Sequence, residues 1–223
     1  MNYHVIDHWK TPATSYPRGK LGAWEIATAK KEPGLYKTQD YGAFYYVPEA
    51  IEITTLREGD LLWFTDEPRQ MYALAEIGLF RARGNVVVGG LGLGLIHSFL
   101  RHNPSVTHIT TIERARELET LVWPHLKTRG HLIIGDFYTV LPELARVGVE
   151  VDTIITDFLF GYQDDTTWRQ LKEQRAFCLA HFPNAQFLEH GFQRRMDEEV
   201  VAGDIPPSLI SPVAMFDQVR IFR

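Results

Sequence analysis

Residues 85 to 96, Asn85-Val86-Val87-Val88-Gly89-Gly90-Leu91-Gly92-Leu93-Gly94-Leu95-Ile96, are where the chain invites chemistry. Three β-branched residues in a row read as a short strand buried on both faces, and the glycines after them leave no side chain between the backbone and whatever lies above the strand end. Leu95, Ile96, Phe99 and Leu100 then recur at helical spacing. Strand, glycine turn and helix in that order open a nucleotide-binding α/β unit, with the ligand at the carboxyl end of the strand. Three later apolar runs each close on an acid. His108-Ile109-Thr110-Thr111-Ile112-Glu113 places a carboxylate about twenty residues past the glycines, where a ribose diol needs a bidentate acceptor. Leu132-Ile133-Ile134-Gly135-Asp136 and Val151-Asp152-Thr153-Ile154-Ile155-Thr156-Asp157 supply the other two.

A dinucleotide fingerprint needs G-x-G-x-x-G, and its third glycine would fall at Leu95, which counts against an NAD-dependent dehydrogenase. Gly90-x-Gly92-x-Gly94 instead resembles motif I of the class I S-adenosylmethionine (SAM)-dependent methyltransferases and of the related spermidine synthases. The Gly135-Asp136-Phe137 segment is similar to the Gly-Asp-aromatic segment of the same families, and Asp157 stands where both keep a residue at the reaction centre. The resemblance implies a cofactor, SAM or decarboxylated SAM. Gly90, Gly92 and Gly94 would cradle its amino-acid end, Glu113 its ribose, and Asp136 with Phe137 its adenine. Asp157 would orient or deprotonate the acceptor, with Phe158, Phe160 and Tyr162 stacking on a planar or cationic one.

The implied activity is methyl transfer to an unidentified acceptor, small molecule or protein. The alternatives are a spermidine synthase-like aminopropyltransferase and a non-catalytic SAM-binding domain. Departures from the family patterns bear on that choice. Asp157-Phe158-Leu159-Phe160 lacks both prolines of the Asn/Asp-Pro-Pro-Tyr/Phe motif of amine-modifying methyltransferases, and Val88 stands where motif I commonly carries an acid. The spermidine synthase Ser-Ser-Asp-Pro pattern is absent, and of the Asp-Glu-x-x-Tyr-His-Glu segment Asp66 and Glu67 match while Gln70 and Met71 replace Tyr and His.

The elements that must position these residues follow from patterning. Residues 1 to about 19 show no periodicity and read as a loosely docked arm. Four short β-type runs follow, at residues 24–28, 43–47, 51–55 and 61–64, forming a small β-meander. Thr65-Asp66-Glu67-Pro68 looks like a capped helix start, with cofactor or substrate contact by Asp66 or Gln70 as the other use of those side chains. A helix near residues 142–147, another through Trp168, Leu171, Cys178, Leu179 and Phe182, and a strand at 185–189 come next. Residues 191–212 read as irregular, and 217–222 alternate as a closing antiparallel strand. The expected fold is α/β: a Rossmann-like class I methyltransferase fold with a mostly parallel seven-stranded sheet. Its expected units are an arm and meander over residues 1–65 and a SAM-binding unit over 66–223.

Composition bounds the partners. At 223 residues with 45% hydrophobic content the chain can fill a core, and its formal charge of −5 disfavours non-specific nucleic-acid binding while leaving a local groove open. Cys178, the single cysteine, reads as buried filler and fits a reducing compartment. The amino terminus lacks a secretory pattern, and the longest apolar run falls far short of the ~20 residues of a membrane span. A cytoplasmic protein is expected. His4 and His8 lack a third ligand nearby, so no metal is expected. The aromatic β-segment could pair with a copy of itself as a homodimer.

Overall fold

The computed structural model describes residues 3–38, 44–127, 130–158 and 165–190, together with Gln193 and Asp197. Phe160 and Tyr162, the irregular run apart from those two residues, and the closing strand at 217–222 lie outside the described residues.

Among the described residues seven short strands come first: β1 (Tyr3–Val5), β2 (Gly19–Leu21), β3 (Trp24–Lys31), β4 (Gly34–Lys37), β5 (Phe44–Val47), β6 (Ile51–Glu58) and β7 (Leu61–Thr65). They do not form one meander. The strands β2-β3-β6-β7 make an antiparallel sheet, while β5 pairs with β4 and, in parallel, with β1 in a separate three-stranded sheet. The expected runs at 24–28, 51–55 and 61–64 therefore share a sheet, and the run at 43–47 belongs to its neighbour.

After α1 (Pro68–Ala75) come β8 (Gly84–Gly89), α2 (Leu95–His102), β9 (Val106–Glu113), α3 (Arg116–Leu121), β10 (Gly130–Ile134), α4 (Phe137–Arg146), β11 (Thr153–Thr156), α5 (Asp165–His181) and β12 (Gln186–Glu189). Among the described residues the main sheet has five strands, all parallel, in the order β10-β9-β8-β11-β12. The chain starts in the middle of this sheet, winds out to β10, then crosses back to β11 on the other side of β8. In an open parallel sheet the ligand crevice is expected at such a reversal, outside the carboxyl ends of the strands, here those of β8 and β11. Val86, Val87 and Val88 are at most 2% exposed, as strands covered on both faces require.

Helix α2 is more deeply buried than an amphipathic pattern implies. Leu95, Ile96, Phe99 and Leu100 face the core, and His97 and Ser98 are buried as well. Helix α1 and the turn that follows it cover one side of α2, and the amino-terminal arm covers another. The arm is firmly seated: Ala13 and Tyr16 are at most 3% exposed, and a single apolar cluster joins them to Leu56, Val88, Leu95 and Phe99. Each such fully buried large side chain contributes roughly 1.5–3 kcal/mol relative to exposure, so several together hold an arm that has no regular periodicity.

Asp66 fastens the arm. Its carboxylate does not cap α1, whose N-cap is Glu67; it accepts from the Thr54 backbone N–H at 2.6 Å and from the Thr11 hydroxyl at 2.5 Å, and it is fully buried. Trp9 Nε1 donates to the Asp66 carbonyl at 2.9 Å. The candidate cofactor or substrate contact by Asp66 is thereby replaced by a structural tether. Burial pushes this carboxyl above the usual carboxylate range, opposed by the Thr11 and Thr54 hydrogen bonds and by Arg18. A folded pKa above the unfolded one means the associated stability is complete below the ordinary carboxylate pKa and is lost as pH rises through the folded value. Asp66→Asn, which keeps an acceptor for Thr54, is expected to remove that falling slope in urea melts taken upward from the ordinary carboxylate pKa. Asp66→Ala is expected to cost about 2 kcal/mol at pH 4, for the two hydrogen bonds left unmade.

Among the described residues no helix is long and apolar enough to cross a membrane. Cys178 is buried, and desolvation pushes its thiol up to about 12, so it behaves as core filler.

Candidate functional site

The carboxyl ends of the five parallel strands are laced to one another. At the end of β8 the chain turns through Gly90, Gly92 and Gly94, all at positive φ (89°, 51° and 68°). The Gly90 N–H donates to the Ile112 carbonyl at 2.9 Å, and the Leu91 N–H donates to Glu113 Oε2 at 2.7 Å. Glu113 Oε1 accepts from the Ala115 N–H at 2.7 Å, so one carboxylate pins the glycine turn to the end of β9. The Gly135 N–H then reaches the Glu113 carbonyl at 2.9 Å, which carries the lacing to the end of β10. On the other side of β8 the Asp157 N–H donates to the Gly89 carbonyl at 3.0 Å. The glycine turn, Glu113, Asp136 and Asp157 thus stand on adjacent strand ends around the crevice.

Space at the turn is uneven, and the unevenness is informative. A Cβ on Gly90 would lie 3.0 Å from the Asp157 carbonyl oxygen and 3.2 Å from Phe158 Cβ, so that glycine is needed for the strand ends to meet. A Cβ on Gly92 would meet nothing within 4 Å. Gly92 therefore faces open space with bare backbone, as a cradle for an approaching ligand must.

Three residues are placed less simply than their sequence context implied. Asp136 is exposed and serves as the N-cap of α4, its Oδ1 accepting from the Thr139 N–H at 3.1 Å. The Phe137 ring is 6% exposed and belongs to the core cluster of Val87, Ile112 and Leu141. Phe158 lies beside it, with ring centroids 5.0 Å apart. Both rings cover Gly89, where a Cβ would come within 2.8 Å of Phe137 and 2.6 Å of Phe158. The two aromatics pack in the cluster that also holds Leu141 of α4 with Trp168 and Leu171 of α5, and the base-stacking role given to Phe137 by resemblance finds most of its ring already packed.

Two site residues carried no motif. His190, just past β12, has Nδ1 3.0 Å from Asp157 Oδ1, with side chains 10% and 15% exposed. Its ring meets Phe64 of β7 at 5.8 Å, so the amino-terminal sheet reaches the strand ends too. Tyr16 of the arm donates its hydroxyl to the Leu93 carbonyl inside the glycine turn at 3.1 Å and stacks on His125 at 5.2 Å. Burial, with Asp66 nearby, pushes the Tyr16 phenol above its ordinary range, so it remains a donor. His190 could have been suspected from its place after the last core strand; nothing in the arm's sequence marks Tyr16.

No family model and no curated protein matches the sequence. The chain is structurally similar, at low identity, to SAM-dependent methyltransferases and spermidine synthases. One is SMU.776, assigned as a methyltransferase and complexed with SAH (S-adenosylhomocysteine), with 16% identity, TM-score 0.36, and coverage of 48% of this chain and 29% of that one. Another is a Streptococcus mutans protein assigned as a SAM-dependent methyltransferase, with 17% identity, TM-score 0.39, and coverage of 56% and 35%. A third is the spermidine synthase of Thermotoga maritima, with 15% identity, TM-score 0.39, and coverage of 70% and 63%. The chain spans less than two thirds of the length of each of these structures. What its site can do is read from its own strand ends.

Proposed function

We propose that this chain is a SAM-dependent methyltransferase. The observation that carries the reading is the lacing of the glycine turn to Glu113 on one side and to Asp157 on the other, around the bare backbone at Gly92. A SAM-type cofactor supplies an electrophilic carbon on a sulfonium, so the protein's task is to align a nucleophile and take up its proton. The open turn suits the amino-acid end. Glu113 suits the ribose diol, since each of its oxygens accepts one amide N–H and keeps a second lone pair. Asp136, exposed at the start of α4, is the adenine candidate. Asp157 stands across the turn from these, where the acceptor would approach.

The test is calorimetric titration of SAM and SAH into the wild type and Glu113→Ala, with thermal melts to confirm that both are folded. The wild type is expected to bind both ligands, and the variant at least about tenfold more weakly, the equivalent of one lost charge-assisted hydrogen bond. Equal affinities would remove the ribose assignment.

Aminopropyl transfer from decarboxylated SAM is a second reading, favoured by the antiparallel sheet that precedes α1 and brings Phe64 to His190. Incubation with putrescine and each cofactor separates the two, because methylthioadenosine arises only from the aminopropyl route.

A further inference from the structure

The strand ends β11 and β12 hold a pair of groups that the cofactor reading leaves unused. Asp157 Oδ1 and His190 Nδ1 are 3.0 Å apart. A carboxylate beside Nδ1 holds the proton on that nitrogen and leaves the Nε2 lone pair bare. Nε2 is buried and, among the described residues, has no hydrogen-bond partner. Leaving a buried polar atom unpaired is costly, so folded chains keep few, and those they keep ask for an explanation. The Oγ1 of Thr156, the residue preceding Asp157, is likewise buried without a partner among the described residues. Phe64 covers one side of the imidazole at 5.8 Å. Ordinary core packing would have turned this ring to satisfy both nitrogens or placed an apolar residue there; a ring held by one nitrogen, with the other left free, suits a proton acceptor awaiting a donor.

We propose that His190 Nε2 accepts the proton released by the acceptor substrate, that Asp157 is the positioning residue holding the imidazole in the required tautomer, and that the acceptor is therefore protic: a hydroxyl or an ammonium. The proposal rests on the methyltransferase reading above and deepens it by naming the acceptor class. For a hydroxyl acceptor, an oxygen lone pair forms the new C–O bond as the C–S bond breaks, with its electron pair going to the sulfonium sulfur. The O–H proton passes to Nε2, and the resulting imidazolium is balanced by the Asp157 carboxylate, which stays ionised. An ammonium acceptor gives its proton to Nε2 first, and the freed amine then attacks the same carbon. Neither route needs another reactant. A thioether, which carries no proton to release, would have no use for the pair.

The test has two arms on the full chain. Long-range ¹H–¹⁵N NMR with ¹⁵N-histidine at pH 7.5, with His190 assigned by its loss in His190→Gln, is expected to show a protonated Nδ1 and a bare Nε2. In Asp157→Ala the proton should move to Nε2, the preferred tautomer of a free imidazole. A protonated Nε2 in the wild type overturns the proposal, whether or not any cofactor binds. In the second arm, SAH formation from SAM is followed with phenols, alcohols and primary amines against dimethyl sulfide and diethyl sulfide. Turnover of protic acceptors is expected, falling at least 100-fold in His190→Gln while SAH affinity stays within twofold. Turnover of the aprotic compounds alone, no turnover of any protic acceptor by wild type that binds SAH, or unchanged rates in His190→Gln each reject the proposal. Failure of the wild type to bind SAH strikes the underlying methyltransferase reading instead, and the tautomer arm then still reports on His190 by itself.

Discussion

Acidifying the protein from pH 6.5 to pH 4 is expected to remove about 3 kcal/mol of folding stability through His97 alone, one pKa unit being worth 1.36 kcal/mol. His97 lies in the first turn of α2, completely enclosed. Its Nε2 is 2.7 Å from Thr111 Oγ1 on β9, and its Nδ1 is 3.3 Å from the Gly94 carbonyl in the glycine turn. Desolvation, partly opposed by the Gly94 carbonyl, pushes its pKa down to about 4. The unfolded chain takes up a proton near pH 6.5, whereas the folded one refuses it until the pH approaches 4. The contribution is therefore complete above 6.5 and lost on the way down. Asp66 acts in the opposite sense over part of this range, so the wild-type curve alone is a sum of slopes. The measurement is the difference in urea-unfolding free energy between wild type and His97→Gln, taken at half-unit steps from pH 7.5 to 4. It should shrink by about 3 kcal/mol as pH falls, and parallel curves would show that the ring is protonated without strain. Because His97 joins the glycine turn to β9, the same titration should loosen the turn, and SAH affinity should fall over the same pH interval.

The parts of this architecture that could be read from the sequence are those set by local periodicity. Val86-Val87-Val88 followed by glycines admits few structures other than a buried strand and an open turn, and the strands ending at Glu113, Ile134 and Thr156 announce themselves by the same apolar runs. Their carboxylates could be placed because a residue following a parallel strand has only one end of the sheet to occupy. Where sequence reasoning failed, the deciding partner was distant. Asp66 before Pro68 has the local signature of a helix cap; it became a tether because Thr11, 55 positions away, supplies a hydroxyl. The arm looked loose because Ala13 and Tyr16 are buried by shape, one at a time, with no repeat to betray it. The run at 43–47 fits a single meander by its local pattern, yet β5 pairs in parallel with β1, a partner far back in the chain. His190 is a single residue beyond a strand, and its meaning depends on Asp157, which reaches it only because β11 and β12 are neighbours.

That dependence on strand pairing makes Gly130 a sensitive position in the main sheet. Gly130 opens β10 and sits opposite Ile109 of β9. A Cβ built there would lie 1.8 Å from the Ile109 carbonyl oxygen and 2.7 Å from its carbonyl carbon. A side-chain neighbour can rotate away from such an intruder, but a backbone carbonyl held in a parallel ladder cannot move without opening the strand pair. Gly130→Ala is therefore expected to destabilise the chain by roughly 3 kcal/mol or more, at the upper end for overpacking substitutions. Gly19→Ala in β2 is the matched control. Its Cβ meets nothing within 4 Å, and removing a glycine from the unfolded ensemble should leave it unchanged or up to about 1 kcal/mol more stable. Chemical denaturation of both variants checks this, and similar midpoints for the two would mean that β9 and β10 are not in the close register described. The displacement should also travel along β10, because the Gly135 N–H at its far end holds the Glu113 carbonyl. A folded remnant of Gly130→Ala should accordingly bind SAH more weakly than the wild type, although residue 130 lies a full strand length from the crevice.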